Sequence, residues 1–154
     1  MSMTTIQRAI SRAAKKVERA YFDDAMLDLI DVLDNSKPLM IVSAGKSIRA
    51  YETITSMADR AGLYVASAML RCSDGEMHET VFVGSRDPND LYRDRATECV
   101  QLVYKNKEGD DFTRPNFQFL MGKLLGTPVD EVLDFIASDV GRHCVCDCCG
   151  GRVD

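Results

Sequence analysis

The chain contains no tryptophan, only two histidines and four prolines, and no apolar run long enough to cross a membrane. Phe, Tyr and Trp make up 7% of its 154 residues, so a binding surface built from stacked aromatic rings is not expected. Basic residues are outnumbered as well, with 19 Lys and Arg against 24 Asp and Glu. This balance disfavours a dedicated nucleic-acid binder, because such proteins use basic residues to neutralise phosphates.

The composition that remains is that of one ordinary globular domain, with 45% hydrophobic and 28% charged residues. The N-terminus lacks an apolar signal core, so we expect a cytoplasmic protein with reduced cysteines. Its six cysteines are then expected to bind metal or to be buried rather than to form disulfides. We expect a single α/β domain over residues 1–140 and a Cys/His-rich metal-binding tail over residues 141–154.

Hydrophobic periodicity predicts an α/β or α+β fold in which a small sheet of three or four strands packs against helices in two or three layers. Strands are predicted at residues 38–43, 63–70 and 79–83, with a hairpin turn at 73–76 between the last two. The predicted helices are an N-terminal segment (4–34, as one helix or two), 48–61 closed by Gly62, 87–104, and a C-terminal pair within 116–139 separated by Gly126. The third helix is expected to begin at Asp87-Pro88 and to bury Leu91, although strand is the alternative for residues 98–104.

The tail carries the strongest chemical signal in the sequence. Four of the six cysteines lie within six residues and next to a histidine. A Cys-x-x-Cys-Gly pattern ending at Gly150 can direct two thiolates at one ion. We therefore predict a structural zinc site whose ligands are His143, Cys144, Cys146 and Cys149. Cys148, or Cys72 and His78 from the hairpin, are alternative ligands, and an iron–sulfur cluster, a thiol redox role and a free tail stay open.

A second and weaker signal is the turn Ser43-Ala44-Gly45-Lys46-Ser47 between a predicted strand and a predicted helix. A helix N-terminus favours anions, so Ser43, Gly45, Lys46 and Ser47 are candidate ligand-binding residues. A Walker A loop is rejected, because Met40 stands where that pattern requires its first glycine.

Residues 22–62 resemble the opening of a sugar isomerase (SIS) domain. In that family a helix like Ala25–Ile30 leads to a strand, a Gly-Lys-Ser turn and a helix that ends at a glycine. The resemblance implies a phosphosugar or nucleotide ligand near the turn. The later part of the chain departs from the family pattern, because Gly84–Asp87 is a poor substitute for its second Ser/Thr-rich phosphate loop.

Two further features concern partners. Residues 121–136 resemble a helix-turn-helix, but the second helix carries Asp130, Glu131 and Asp134 and no base, which predicts a structural helical hairpin rather than a DNA reader. Residues 1–20 are basic and residues 21–34 are acidic, and two solvated helix faces or a basic arm for an acidic partner would each produce this arrangement.

Three functions are therefore expected from the sequence. The first is a small zinc-binding interaction or regulatory module with a protein partner and no membrane contact. The second is a phosphate-containing small-ligand binder or enzyme that uses the Ser43–Ser47 turn. The third is a nucleic-acid accessory factor that uses the basic N-terminal helix. No catalytic residue is nominated, because the two histidines suggest no Ser/His/Asp set, and the oligomeric state is open.

Overall fold

A three-stranded antiparallel sheet lies at the centre of the computed structural model, which describes residues 4–71, 76–105 and 115–137. Its strands are β1 (Leu39–Ser43), β2 (Tyr64–Arg71) and β3 (Met77–Gly84), in the spatial order β1-β3-β2. All three predicted strands are confirmed. The predicted turn at residues 73–76 falls largely outside the described residues, but β2 and β3 pair as a hairpin would require.

The N-terminal segment forms one continuous helix, α1 (Thr5–Leu33), which resolves the choice between one helix and two. Thr4 begins it with a capping box, in which its side chain accepts from the Gln7 amide and the Gln7 side chain accepts from the Thr4 amide. The predicted second helix is confirmed as α2 (Ile48–Arg60). Gly62 follows it with a φ of +76°, the left-handed conformation that favours glycine after a helix end.

The helix predicted to start at Asp87-Pro88 is only partly correct. Asp87 caps a single 3₁₀ turn at Pro88–Asp90, and Leu91 and the residue after it then adopt positive φ values that stop the helix. Helix α3 (Arg95–Lys105) begins four residues later, where Asp94 accepts a hydrogen bond from the Thr97 amide. Leu91 was expected to be buried and is instead 90% exposed, because it lies in this break. Residues 98–104 are helical, not a strand.

The C-terminal helical hairpin is confirmed as α4 (Pro115–Leu124) and α5 (Val129–Ala137). The two helices pack closely at Gly122, where an added Cβ atom would lie 2.6 Å from a methyl carbon of Val132. Gly126, between the helices, has a φ of +78° and lies against Pro38, the residue that precedes β1. The turn between α4 and α5 is thereby held against the sheet.

Helices cover both faces of the sheet, so the described part of the chain forms three layers and belongs to the α+β class. One core cluster joins α1 and α2 to side chains from one face, and the other joins α3 and α4 to side chains from the opposite face. The central strand β3 is consequently buried without interruption from Thr80 to Gly84. Such a continuous buried run is typical of a strand that is covered on both faces.

Within the described ranges, no helix combines the length and the apolar character that a membrane span needs.

Candidate functional site

The turn predicted to bind a ligand lies where β1 ends and α2 begins. The side chains of Ser43 and Ser47 are both buried. Ser47 is the N-cap of α2, and its hydroxyl oxygen accepts a hydrogen bond of 3.0 Å from the Ala50 amide. The Ser43 hydroxyl accepts one of 3.2 Å from the Gly45 amide. Both serines therefore shape the turn and the helix start.

Helix α1 supplies further partners to this turn from the side. The Ser43 amide donates to the Tyr21 hydroxyl at 3.0 Å, and the Ser47 hydroxyl donates to the Glu18 carboxylate at 2.5 Å. Arg49, in the first turn of α2, lies 3.6 Å from the same carboxylate. The positive end of α2 thus already faces a negative charge of its own chain. An incoming phosphate would have to displace Glu18 or tolerate its repulsion.

The two other residues nominated in the turn are also close to neighbouring side chains. The Lys46 ammonium lies 5.9 Å from the centre of the Tyr21 ring. A Cβ atom on Gly45 would come within 2.4 Å of the His78 imidazole, so the ring of His78 packs directly on this glycine. The structure therefore brings the hairpin histidine to the Ser43–Ser47 turn, a contact that spacing along the chain could not reveal.

The predicted metal ligands of the tail cannot be compared with the structure in the same way. His143, Cys144, Cys146 and Cys149, together with the alternatives Cys148 and Cys72, lie outside the described residues. In the described ranges themselves, no group of three or more His, Cys, Asp or Glu side chains is arranged to hold a metal ion. The zinc site stays a prediction from the tail sequence.

Cys99 is the cysteine whose surroundings the structure describes. It is fully buried in the core between α3, α4 and the sheet, with its Sγ atom 3.8 Å from the Met121 sulfur. Burial raises the pKa of the Cys99 thiol to about 12, with a smaller contribution from the nearby Glu98 carboxylate. A thiol that stays protonated is neither a metal ligand nor a nucleophile.

A surface cleft lies between α3 and α4, and no signal in the sequence predicts it. It encloses about 240 Å³, and its charged lining includes Lys105, Lys123 and the Arg93–Glu98 pair. Arg93 donates two hydrogen bonds to Glu98, at 2.6 and 2.8 Å, so its charge is largely used within the protein. The volume lies below the roughly 300 Å³ at which small-molecule pockets begin, so the cleft is a weak candidate.

The most unusual surface is the first half of α1. From Thr5 to Ala20 no residue of this helix is buried, whereas its second half packs on the body through Ala25, Leu29 and Val32. Ile6, Ile10 and Val17 are nevertheless apolar and are 64–73% exposed. Four turns of helix therefore carry large hydrophobic side chains that are mostly exposed in the described chain.

These apolar side chains form a regular stripe. Ile6, Ile10, Ala13, Val17 and Ala20 follow one another at alternating spacings of four and three residues, and Leu27, 61% exposed, continues the series one heptad later. This is the a and d pattern of a coiled-coil seam. We call these six residues the α1 stripe. Their spacing is helical whichever way they face, and only the tertiary structure shows that they face away from the core.

Comparison of this chain with protein-family models, with curated proteins and with solved structures finds no match.

Proposed function

We propose that the protein is a non-catalytic interaction module and that the α1 stripe is its binding surface for another protein. The observation that carries this proposal is the exposure of Ile6, Ile10 and Val17 on a helix that is otherwise well formed. Burying one such side chain is worth about 1.5–3 kcal/mol, so covering the stripe would provide a substantial driving force for association.

The physics of isolated helices supports the same proposal. A helical segment of about 15 residues is only marginally stable in water, because most helix stability in proteins comes from packing an apolar face. The first half of α1 has such a face and a capping box at Thr4, but none of its side chains is buried, and the contacts of Glu18 with Ser47 and Arg49 tie it to α2 near its end. A partner on the stripe would supply the packing that this half lacks.

The alternatives have less support. The phosphate-ligand hypothesis for Ser43, Gly45, Lys46 and Ser47 stays a prediction. The Glu18 carboxylate of α1 counts against it, because it already accepts from Ser47 at the N-terminus of α2 and would repel a phosphate. A nucleic-acid partner for the basic half of α1 would also meet the aspartates that follow on the same helix. Zinc bound by His143, Cys144, Cys146 and Cys149 remains part of the proposal as a structural ion that orders the tail of an interaction module.

Site-specific photo-crosslinking in cells whose genome encodes the protein tests the proposed binding surface. A photoreactive residue replaces Ile10 or Val17 in the stripe, and the matched control replaces Lys15, which is exposed on the same helix but lies outside the stripe. We expect discrete covalent adducts from the stripe positions and few from position 15. Equal or absent adducts at all three positions would reject the α1 stripe as a binding surface.

A further inference from the structure

Charge is strongly segregated along α1 and the residue that caps its end. Its first half carries five basic residues against Glu18 alone, and its second half carries five aspartates and no base (Arg8, Arg12, Lys15, Lys16, Arg19; Asp23, Asp24, Asp28, Asp31, Asp34). Nine of these ten side chains are exposed, and Asp28 is half-buried beside Lys37 at 3.1 Å. The helix is therefore complementary in charge to a copy of itself running in the opposite direction.

From this complementarity we infer that the α1 stripe binds a second copy of this chain, with the two α1 helices packed antiparallel. The inference rests on the proposed function, because it names the partner of the same surface. In this arrangement the basic half of each helix lies along the acidic half of the other. A parallel pair would instead place the five bases of one copy beside the five bases of the other.

The position of the body on α1 leaves room for this partner. With Ile10 and Val17 at heptad position a, the buried residues Ala25 and Val32 fall at b and Leu29 falls at f. Those positions lie on the side of the helix opposite the a/d seam. The fully buried contacts of α1 therefore lie away from the seam, and the body reaches its edge through Tyr21 and Asp28 at position e. The seam side of α1, which is about 43 Å long for its 29 residues, is otherwise left to the second copy.

The seam residues select a register. In an antiparallel pair, a residue at position a faces a residue at position d of the other helix. Placing Val17 against Ala20 of the partner subunit also places Ile10 against Leu27 of the partner subunit. The two charged residues at a positions, Asp24 and Asp31, then face Ala13 and Ile6 of the partner subunit, both within its basic half. In a parallel pair Asp24 would meet Asp24 of the partner subunit inside the seam, which is unfavourable.

The same register predicts one specific ion pair, which occurs twice by symmetry. Lys16 and Asp23 both occupy the g position beside the seam, and antiparallel helices bring g positions together. Lys16 therefore lies next to Asp23 of the partner subunit, and Asp23 lies next to Lys16 of the partner subunit. Neither side chain has an ion-pair or hydrogen-bond partner among the interactions shown for the described chain.

The first experiment measures the mass of the full chain by sedimentation equilibrium between about 1 and 100 μM, a range in which a dimer with a Kd of micromolar order is detected. The buffer contains a reductant and about 50 mM salt. We expect a dimer. Ile10→Gln combined with Val17→Gln is expected to weaken dimerisation by on the order of a hundredfold or more. The matched control Leu133→Gln, which changes an exposed apolar residue on α5, is expected to leave the dimer intact.

The second experiment tests the orientation by exchanging charges. Lys16→Asp alone places two aspartates together at both symmetry-related pairs and is expected to raise the dimer Kd on the order of tenfold, while Asp23→Lys alone, which places two lysines together, is expected to do the same. The double variant Lys16→Asp with Asp23→Lys restores opposite charges and is expected to recover the original Kd. Far-UV circular dichroism verifies that each variant remains folded, since all four seam and charge positions are exposed.

Each outcome has a distinct meaning. A monomer at 100 μM would overturn the second copy as the partner, while stripe-specific crosslinks to a different protein would still uphold the proposed function. A dimer that ignores the Ile10 and Val17 changes would overturn the α1 interface. A dimer that the double charge exchange fails to restore would overturn the antiparallel register.

Discussion

Cys99 shows at the scale of one residue how burial decides chemistry. Its thiol has no exposure to solvent, and its pKa is raised to about 12 because the surrounding apolar side chains disfavour the thiolate. A sequence reading that counts cysteines treats all six alike. The structure separates Cys99, which belongs to the core, from the tail cysteines that carry the metal prediction.

We expect Cys99 to be inert toward thiol reagents in the native protein. In a variant with serine at the five other cysteines, reaction with a disulfide reagent at pH 8 should be slower than in denaturant by at least about a thousandfold, because attack requires both opening of the core and ionisation. The reaction is followed by absorbance in native buffer and in guanidinium chloride. Rapid native labelling would contradict the burial of this thiol.

Ser47 and Glu18 illustrate a pair of residues whose roles become clear only together. The Ser47 hydroxyl caps α2 and donates to Glu18 in α1. We expect Ser47→Ala to lower the free energy of unfolding by about 1–2 kcal/mol, since the cap and a charge-assisted hydrogen bond are both lost. Chemical denaturation measures this change.

A double-mutant cycle with Glu18→Gln separates the two contributions, because the cap to Ala50 survives in that variant. The same Glu18→Gln protein also tests the ligand hypothesis. If inorganic phosphate binds at the turn, removal of the carboxylate charge should tighten its binding in an NMR titration of the Gly45 and Ile48 amides. No chemical-shift change in either protein would eliminate a phosphate site there.

At the scale of the elements, Arg95 connects three segments of the chain. Its guanidinium donates to the Asp90 carboxylate at 2.7 and 3.2 Å, and to the carbonyl oxygens of Lys123 and Leu124 at 2.9 Å each. One side chain thereby ties the 3₁₀ turn and the start of α3 to the end of α4. A planar fork with several donors is needed for this, which lysine does not provide.

We expect Arg95→Lys to destabilise the protein by about 1–3 kcal/mol, because the bonds to two carbonyl oxygens at the end of α4 and the bidentate pair with Asp90 are weakened together. Arg93→Lys, which alters a more exposed pair with Glu98 on the same surface, is the matched control and should cost less than about 1 kcal/mol. Thermal and urea denaturation measure the free energy of unfolding of both variants. Equal effects would show that Arg95 has no special structural role.

The Asp90–Arg95 pair also predicts a pH dependence. Hydrogen bonding to Arg95 holds the pKa of Asp90 below its ordinary value, so the pair adds stability that is complete above about pH 4 and is lost as pH falls further. The stability difference between the wild-type protein and Asp90→Asn should therefore shrink below about pH 4. Urea midpoints at pH 3 and pH 7 measure it, and a constant difference would be inconsistent with this assignment.

At the scale of the whole molecule, the question is whether the domain needs the predicted zinc site of the tail in order to fold. The described domain has its own core on both faces of the sheet, so its folding does not require a metal. We expect about one zinc per chain in protein purified without chelator, and loss of that zinc in Cys146→Ser combined with Cys149→Ser. Metal analysis by mass spectrometry measures both.

The cooperative unfolding of the domain should change by less than about 1 kcal/mol in the same double variant, because its core is independent of the tail. Cys99→Ala is the matched cysteine control, since it should keep the zinc but destabilise the core. Purified wild-type protein that lacks stoichiometric zinc would refute the metal assignment for His143, Cys144, Cys146 and Cys149.

Much of the fold could be predicted because the relevant signals are local. Alternating and continuous apolar runs located all three strands, and the glycines at positions 62 and 126 marked helix ends where left-handed backbone is required. The prediction at Asp87 failed because two consecutive residues, Leu91 and Tyr92, adopt positive φ values that their side chains do not favour. Arg95, just after the break, donates to Asp90 before it and to the Leu124 carbonyl at the end of α4. These contacts stabilise the chain on both sides of the break.

The sequence by itself determined most of the elements, the spacing of the α1 stripe and the separation of charge along α1, because all of these are properties of neighbouring residues. Only the tertiary structure decided that β3 is central, that His78 packs on Gly45 and that the Glu18 carboxylate of α1 lies at the N-terminus of α2. It also decided which apolar face of α1 is buried and which is exposed. The physical reason is that a helix with two apolar faces satisfies the same periodicity whichever face packs, and the choice is made by contacts distant in sequence.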